Sequence, residues 1–287
     1  MRQRCLVVVD SSASIPEALV AKWGLDVVPL DVIIDGEPTP EGAAMTSEDV
    51  LQAMERGQSV TTSQPSAGTL AEAYQNAADA GAKEVLSIHI SGEISGTVNT
   101  ALIAARQSPI PVEVVDSKTL VMGLGYAALA AAALARRGAP LADVAHEATR
   151  VAESSSTFFT VDSLEYLKRG GRVPRVAAAL GEALHIRPIL GMVDGEVEVL
   201  ERVRTTERAR ERVVQEIEER LEGLRRPGVA VTGLRIPWYV DNVSEWLKAR
   251  NSNLVVTLGT SLSAALAVHG GPGSFAVSAA DLPKGFA

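Results

Sequence analysis

The chain has 287 residues, 46% hydrophobic and 22% charged, with a formal net charge of −8. That composition builds a packed core rather than a disordered chain, and the acidic balance excludes nonspecific nucleic-acid binding, which needs basic surface. Aromatic residues make up only 4%, so the core must be mostly Val, Leu, Ile and Ala, and no base-stacking platform is available.

Cys5 is the only cysteine, so no internal disulfide and no Cys/His zinc cluster can form. Met1-Arg2-Gln3-Arg4 resembles the start of a secretion signal, but Asp10 ends the apolar run that follows it. The longest apolar run, Gly123 to Leu134, falls well short of the ~20 residues a membrane span needs. It reads as a buried helix of a cytoplasmic protein with no integral membrane segment.

In chain order, Cys5–Val9 is a strand buried on both faces, ending at Asp10. Ser14-Ile15-Pro16-Glu17 has capping-box spacing and opens a helix to Trp23. Val27–Ile34 reads as one strand, and Asp35-Gly36 as a turn. Thr46-Ser47-Glu48-Asp49 caps a helix through Val50–Met54. Leu70–Ala80 is a helix, Glu84–Ile90 a strand, Ser95–Arg106 a helix and Val112–Asp116 a strand. Leu120–Arg137 and Leu141–Glu153 are two successive helices. This alternation implies a parallel sheet with helices on both faces.

After about residue 155 the pattern changes. Thr157–Val161 is a strand, and Asp162–Lys168 a short helix capped by Asp162. Ile186–Val193 and Glu196–Arg202 flank Asp194-Gly195, a hairpin signal. Thr205–Leu224 is a long amphipathic helix. Val229–Thr232, Leu254–Leu258 and Ser274–Val277 are further strands. The expected architecture is α/β with two domains. Residues 1–155 form a parallel sheet flanked by helices, residues 156–287 form a mixed α+β domain, and a ligand cleft lies between them.

Two hydroxyl-rich stretches, Thr61–Thr69 and His89–Thr97, each look like the opening of a helix. Hydroxyls and free backbone N–H groups there make a donor cup for an anion. Thr62 and Ser95 stand out because Gly and Pro neighbours shape their loops, and Gly92 and Gly96 allow close approach of backbone to a ligand. Simple helix capping is the alternative reading of both hydroxyls. No nucleotide fingerprint is present. His269-Gly270-Gly271-Pro272-Gly273 resembles a hydrolase oxyanion loop, but the chain lacks a G-x-S-x-G nucleophile elbow. His269 in a glycine-shaped loop remains a good anion ligand, whereas His89 reads as a satisfied core histidine. Lys168, Arg169, Arg172 and Arg175 form a basic cluster, and Arg202 and Arg204 follow the hairpin. A solvated face is the default for such a cluster, but Arg is suited to phosphate or carboxylate, and an acidic or phosphorylated partner is the functional alternative.

Taken together, these segments resemble the DegV family of bacterial fatty-acid-binding proteins. The resemblance rests on Val9-Asp10-Ser11-Ser12-Ala13, Thr62-Ser63-Gln64-Pro65-Ser66, Ser87-Ile88-His89-Ile90-Ser91 with Ser95-Gly96-Thr97, and Asp116-Ser117-Lys118 with Met122-Gly123-Leu124-Gly125. It continues through Leu164–Arg172, Ile186–Leu190, Asp194-Gly195-Glu196, Val203-Arg204-Thr205 and His269–Gly273. The resemblance implies a two-domain fold holding one long-chain fatty acid. A separate fatty acid kinase subunit would phosphorylate the acid to an acyl-phosphate for phospholipid synthesis. Thr62, Ser95 and Gly96 would hold the carboxylate with His269 nearby, while Arg172 and Arg204 would meet the kinase or the phosphoryl group. The chain itself would have no catalytic residue, cofactor or metal. Glu93 departs from the family pattern and is expected to face solvent.

Two other readings stand beside this one. The first is an enzyme acting on a small acyl or anionic substrate, with His269 as base and Ser95 as nucleophile. It lacks an acidic residue to orient the histidine. The second is a regulator docking through Lys168–Arg175.

Overall fold

The computed structural model describes residues 4–172 and 186–286. The chain begins with β1 (Cys5–Asp10), a short helical turn (Ser11–Ala13), α1 (Glu17–Trp23), β2 (Asp26–Val28), β3 (Asp31–Ile34) and β4 (Glu37–Pro40). Next come α2 (Ser47–Glu55), β5 (Val60–Ser63), α3 (Ala67–Asp79), β6 (Glu84–His89), α4 (Thr97–Ala105), β7 (Val112–Asp116), α5 (Met122–Ala135) and α6 (Leu141–Ser154). The rest is β8 (Ser156–Thr160), α7 (Glu165–Arg169), β9 (Arg187–Val193), β10 (Glu196–Val203), α8 (Thr206–Leu221), β11 (Pro227–Gly233), α9 (Pro237–Arg250), β12 (Val256–Ser261), α10 (Ala264–Gly270) and β13 (Phe275–Asp281).

Three sheets result. One is parallel, in the order β2-β1-β6-β7. A six-stranded sheet runs β10-β9-β8-β13-β11-β12, antiparallel except for the β11–β12 pair. A small antiparallel sheet runs β4-β3-β5. The fold is therefore mixed α/β, with a helix-flanked parallel sheet and a separate mixed sheet.

The alanine-rich run becomes α5, in which every residue but Leu134 is buried. Burial on all sides follows from its position: α5 and α6 pack on β1 and β6 of the parallel sheet and on β13 of the six-stranded sheet. Alanine keeps this shared layer thin, so one apolar core spans both sheets, from Val7 and Val9 to Ala230 and Ala280. Val8, with the opposite parity, packs on Leu70, Tyr74 and Ala101 beneath α3 and α4. Helices α8 and α9 cover the outer face of the six-stranded sheet through Val213, Ile217, Val243 and Leu247.

Several expectations need correction. Val27–Ile34 is not one strand: it breaks at Pro29-Leu30 into β2 and β3, which belong to different sheets. Pro29 has no N–H with which to continue a ladder. Thr61–Ser63 does not open a helix but completes β5, where Thr62 pairs with Val32. Its β-branched residues favour a pleated surface, and the following helix starts at its own cap, where Ser66 accepts the Thr69 N–H at 3.0 Å. Asp162 does not cap α7. Its carboxylate accepts the Thr206 hydroxyl at 3.1 Å, and Ser163 accepts the Glu165 N–H instead. Helices α9 and α10 were not expected, although Pro237 in the first turn and the Ser263 cap are their signals.

Candidate ligand site

Thr62 sits on β5, and His269 on the last turn of α10 rather than in a loop. Helix α10 packs against α2, β3, β5 and α7, which brings the two residues together. The Thr62 hydroxyl lies 2.8 Å from His269 Nε2. The other ring nitrogen, Nδ1, is buried and has no hydrogen-bond partner. Burial, and then the Arg172 guanidinium, lower the His269 pKa to about 4, so the ring is neutral at pH 7. A buried N–H without an acceptor is more costly than a lone pair facing a C–H. The proton is therefore assigned to Nε2, which donates to Thr62 and leaves the threonine O–H free for an anion.

Gly170 explains how the ring is held. Its φ is an ordinary −71°, yet a Cβ there would lie 2.1 Å from His269 Nδ1. Glycine is required for space, because the imidazole occupies the side-chain position. Tyr166 fills the corresponding place beside Gly271, whose φ is +71°.

The second hydroxyl loop is fixed from below. The Asp10 carboxylate accepts the Ile90 N–H at 2.8 Å and contacts His89 Nδ1 at 3.1 Å. His89 Nε2 meets Ser87 Oγ at 2.7 Å, so this fully buried histidine is satisfied as expected. Ser91 donates to the Gly195 carbonyl at 2.7 Å, joining the loop to the β9–β10 turn. Ser95 contacts the Thr97 hydroxyl at 2.8 Å and accepts the Thr97 N–H at 3.3 Å, but the cap position of α4 is Gly96, so Ser95 is not its N-cap. Gly96 precedes α4, and a Cβ on it would press on the Gln64 amide at 3.1 Å. Gln64 thus ties the two hydroxyl segments together. Glu93 turns away to an exposed pair with Lys118 at 2.9 Å.

Thr62, Ser95, His269 and Arg172 all line one cleft. Its other walls are largely aliphatic and aromatic, among them Ile90, Ile94, Leu120, Phe159, Val161 and Leu266. On the far side of Thr62 and His269 lies a polar basin of about 1020 Å³, lined by Gln58, Ser59, Thr61, Tyr166 and Arg169. Thr62, Arg172 and His269 belong to the walls of both.

Arg172 therefore shares the cleft's polar boundary with Thr62 and His269. Its guanidinium donates to the carbonyls of Ile94 at 3.3 Å and Gly170 at 2.6 Å, bracing the second hydroxyl loop against the His269 support. Arg204 is exposed after β10 and is not brought to the cleft. Lys168 is exposed, Arg169 pairs with Glu165, and Arg175 lies outside the described residues. Of its described members, Arg169 and Arg172 share the wall of the polar basin, and Lys168 does not line it. Nor does the structure join Ser95 to His269 by a hydrogen bond: the histidine's partner is Thr62. Among the described residues, no group of three or more His, Cys, Asp or Glu side chains is placed to hold a metal ion, and no helix is long and apolar enough to cross a membrane.

Sequence reasoning missed Gln64, Gly170 as the histidine's support, and Leu262 in the cleft wall. The glycine pair before Arg172 was the available signal for the second.

Comparison with known proteins follows this geometry. A family model described as "Uncharacterised protein, DegV family" matches residues 4–282. A DegV domain-containing protein of Streptomyces coelicolor is 35% identical over 277 residues, 96% of this chain and 98% of that one. Another, of Mycobacterium bovis, is 32% identical over 273 residues, 95% of each chain. A solved DegV family protein from Thermus thermophilus, described by its fatty acid binding, superposes with a TM-score of 0.90 at 34% identity, covering 97% of this chain and 100% of that one. DegV of Bacillus subtilis, described as a fatty acid binding protein, gives 0.88 at 27% identity, covering 97% and 99%.

Proposed function

The chain belongs to the DegV family, and we propose that it binds one long-chain fatty acid and presents the carboxylate to a partner fatty acid kinase. The kinase would convert the acid to an acyl-phosphate for phospholipid synthesis. In this reading the protein is cytoplasmic, contributes no catalytic group of its own, and grips its ligand between two domains, residues 1–155 and 156–287.

One observation carries the proposal: Thr62, Arg172 and His269 stand where an apolar cleft meets a polar basin. An amphiphile with its tail in the cleft would place its head at that boundary, reachable from the basin. The two solved relatives named above, described as fatty-acid-binding, support the choice of amphiphile. So does the energetics. Burying a methylene is worth ~0.8 kcal/mol, so an acyl chain of about fifteen yields on the order of 12 kcal/mol gross, part of which association and ordering take back. The carboxylate needs fixed donors, which the Thr62 O–H, Ser95 and the Gly96 backbone would supply through charge-assisted hydrogen bonds. Arg172 would add positive charge as the phosphoryl group arrives, with Arg169 on the basin wall and Arg204 reserved for the partner's surface.

The test is acyl-phosphate formation from palmitate and ATP with a bacterial fatty acid kinase, trapped with hydroxylamine. Hydroxamate should appear only when this chain is present. It should fall at least tenfold with Ser95→Ala, about the effect of one lost charge-assisted bond. Arg172→Ala should slow turnover while bound palmitate stays near the wild-type level. Hydroxamate that does not depend on this chain, or that Ser95→Ala leaves unchanged, would refute the reading. Equal losses of turnover and lipid in Arg172→Ala would remove Arg172 from the phosphoryl step.

A further inference from the structure

The acyl cleft has a second boundary, opposite its head-group end. Leu262, Leu266 and His269 follow at intervals of four and three, and all three line the cleft. They form one stripe along α10 and the residue before its cap.

Leu262 also lines another cleft, whose walls are largely apolar, among them Ile15, Val20, Leu25, Val27 and Met45, with Ser14 and Glu41 as polar members. Among the described residues, Leu262 alone lines both this cleft and the acyl cleft. Its side chain is 8% exposed and packs in the central core.

The backbone that carries this partition is tied down on both sides. Thr260 donates its hydroxyl to the Ser14 carbonyl at 2.8 Å, and the Ser263 N–H donates to Ser14 Oγ at 3.1 Å. The Ala265 N–H donates to the Glu41 carboxylate at 2.8 Å. Glu41 in turn accepts the Ser11 hydroxyl. A wall held by four such bonds does not swing aside for a longer ligand.

We infer that Leu262 determines acyl-chain length by closing the cleft against its neighbour. The inference rests on the fatty-acid reading of the site. A chain that ends before Leu262 is buried throughout. A longer one must displace the leucine before its added methylenes can be buried in the neighbouring cleft. Shortening Leu262 joins the two clefts, and enlarging it shortens the first.

The test is competitive binding of laurate, myristate, palmitate, stearate and arachidate to the full chain and to Leu262→Ala and Leu262→Phe, with thermal melting to confirm folding. The Ala variant should move the optimum to a longer acid and raise the arachidate-to-palmitate affinity ratio by about tenfold, the scale at which apolar pockets sort methylenes. The Phe variant should move the optimum to a shorter acid, and it carries the test if the Ala variant does not fold. An unchanged rank order in the folded variants overturns the inference, even if all affinities fall together. Failure of the wild-type chain to bind any of the acids would instead refute the fatty-acid reading.

Discussion

The Thr62 hydroxyl and His269 Nε2 lie 2.8 Å apart although 207 positions separate them in the chain. The pair lines both the apolar cleft and the polar basin, and in the proposed function the imidazole donates to the threonine, whose O–H is left for the carboxylate. Thr62→Val keeps the shape and removes that donor. A hydrogen bond to a charged group is worth about 1.5–3 kcal/mol, so fatty-acid affinity should fall at least tenfold. Isothermal titration with palmitate measures this, and an unchanged affinity would remove Thr62 from the head-group site.

His269 also makes stability depend on pH. Its pKa is lowered from 6.5 to about 4 in the folded chain. Below pH 6.5 the unfolded chain takes up a proton that the folded chain refuses, so ligand-free stability should drop as pH falls from about 6.5 toward 4. The full shift corresponds to about 3 kcal/mol. Other groups titrate in this window, so the comparison is with His269→Gln. Urea unfolding across the range should show the wild type losing more stability than the variant, and parallel profiles would contradict the assignment of a buried neutral ring.

Gly170 and Gly171 are adjacent but should respond differently to alanine. At Gly170 the new Cβ would strike the His269 ring at 2.1 Å, whereas at Gly171 nothing lies within 4 Å and only the φ of +70° resists. Gly170→Ala should cost about 1–3 kcal/mol through overpacking and abolish most lipid binding by shifting the imidazole. Gly171→Ala should cost about 1–2 kcal/mol for its left-handed backbone and leave binding largely intact. Melting curves and palmitate titrations on both variants separate the two effects.

Arg235, at a φ of 60° after β11, reaches Glu48 at 2.7 Å and also bonds Glu55, both on α2. Its guanidinium lowers the Glu48 pKa to about 2. The contact contributes above the ordinary value of 4.5 and is lost as pH falls through 2. In Arg235→Ala the Glu48 carboxyl should titrate close to 4.5 in a carbon-detected NMR experiment. A value still near 2 would show that Arg235 is not the cause.

Periodicity revealed most of the parallel sheet and its helices, because strands such as β1 are continuous apolar runs and α3 carries its own Ser66 cap. It failed where local signals conflict. Pro29 splits a run that otherwise reads as one strand, and Thr61-Thr62-Ser63 has both the hydroxyls of a cap and the β-branching of a strand. Gly96 does not line the cleft; of the residues that do, Thr62, Ser95 and His269 were recognisable from residue type and family motifs. The partners that hold them were not. Gly170 matters because of a ring from a helix nearly a hundred residues away, and Leu262 because of two clefts that exist only after folding. Arg172 was legible as an anion ligand, but its bracing of Ile94 and Gly170 is tertiary.

The most direct test of the proposed carboxylate site at the Thr62–His269 pair is mass spectrometry of the lipid released when the purified chain is denatured and extracted. Protein made in lipid-replete bacteria should release long-chain fatty acid in one-to-one proportion, and the Thr62→Val, His269→Gln double variant should release little. An extract without fatty acid, or equal amounts from both proteins, would contradict it.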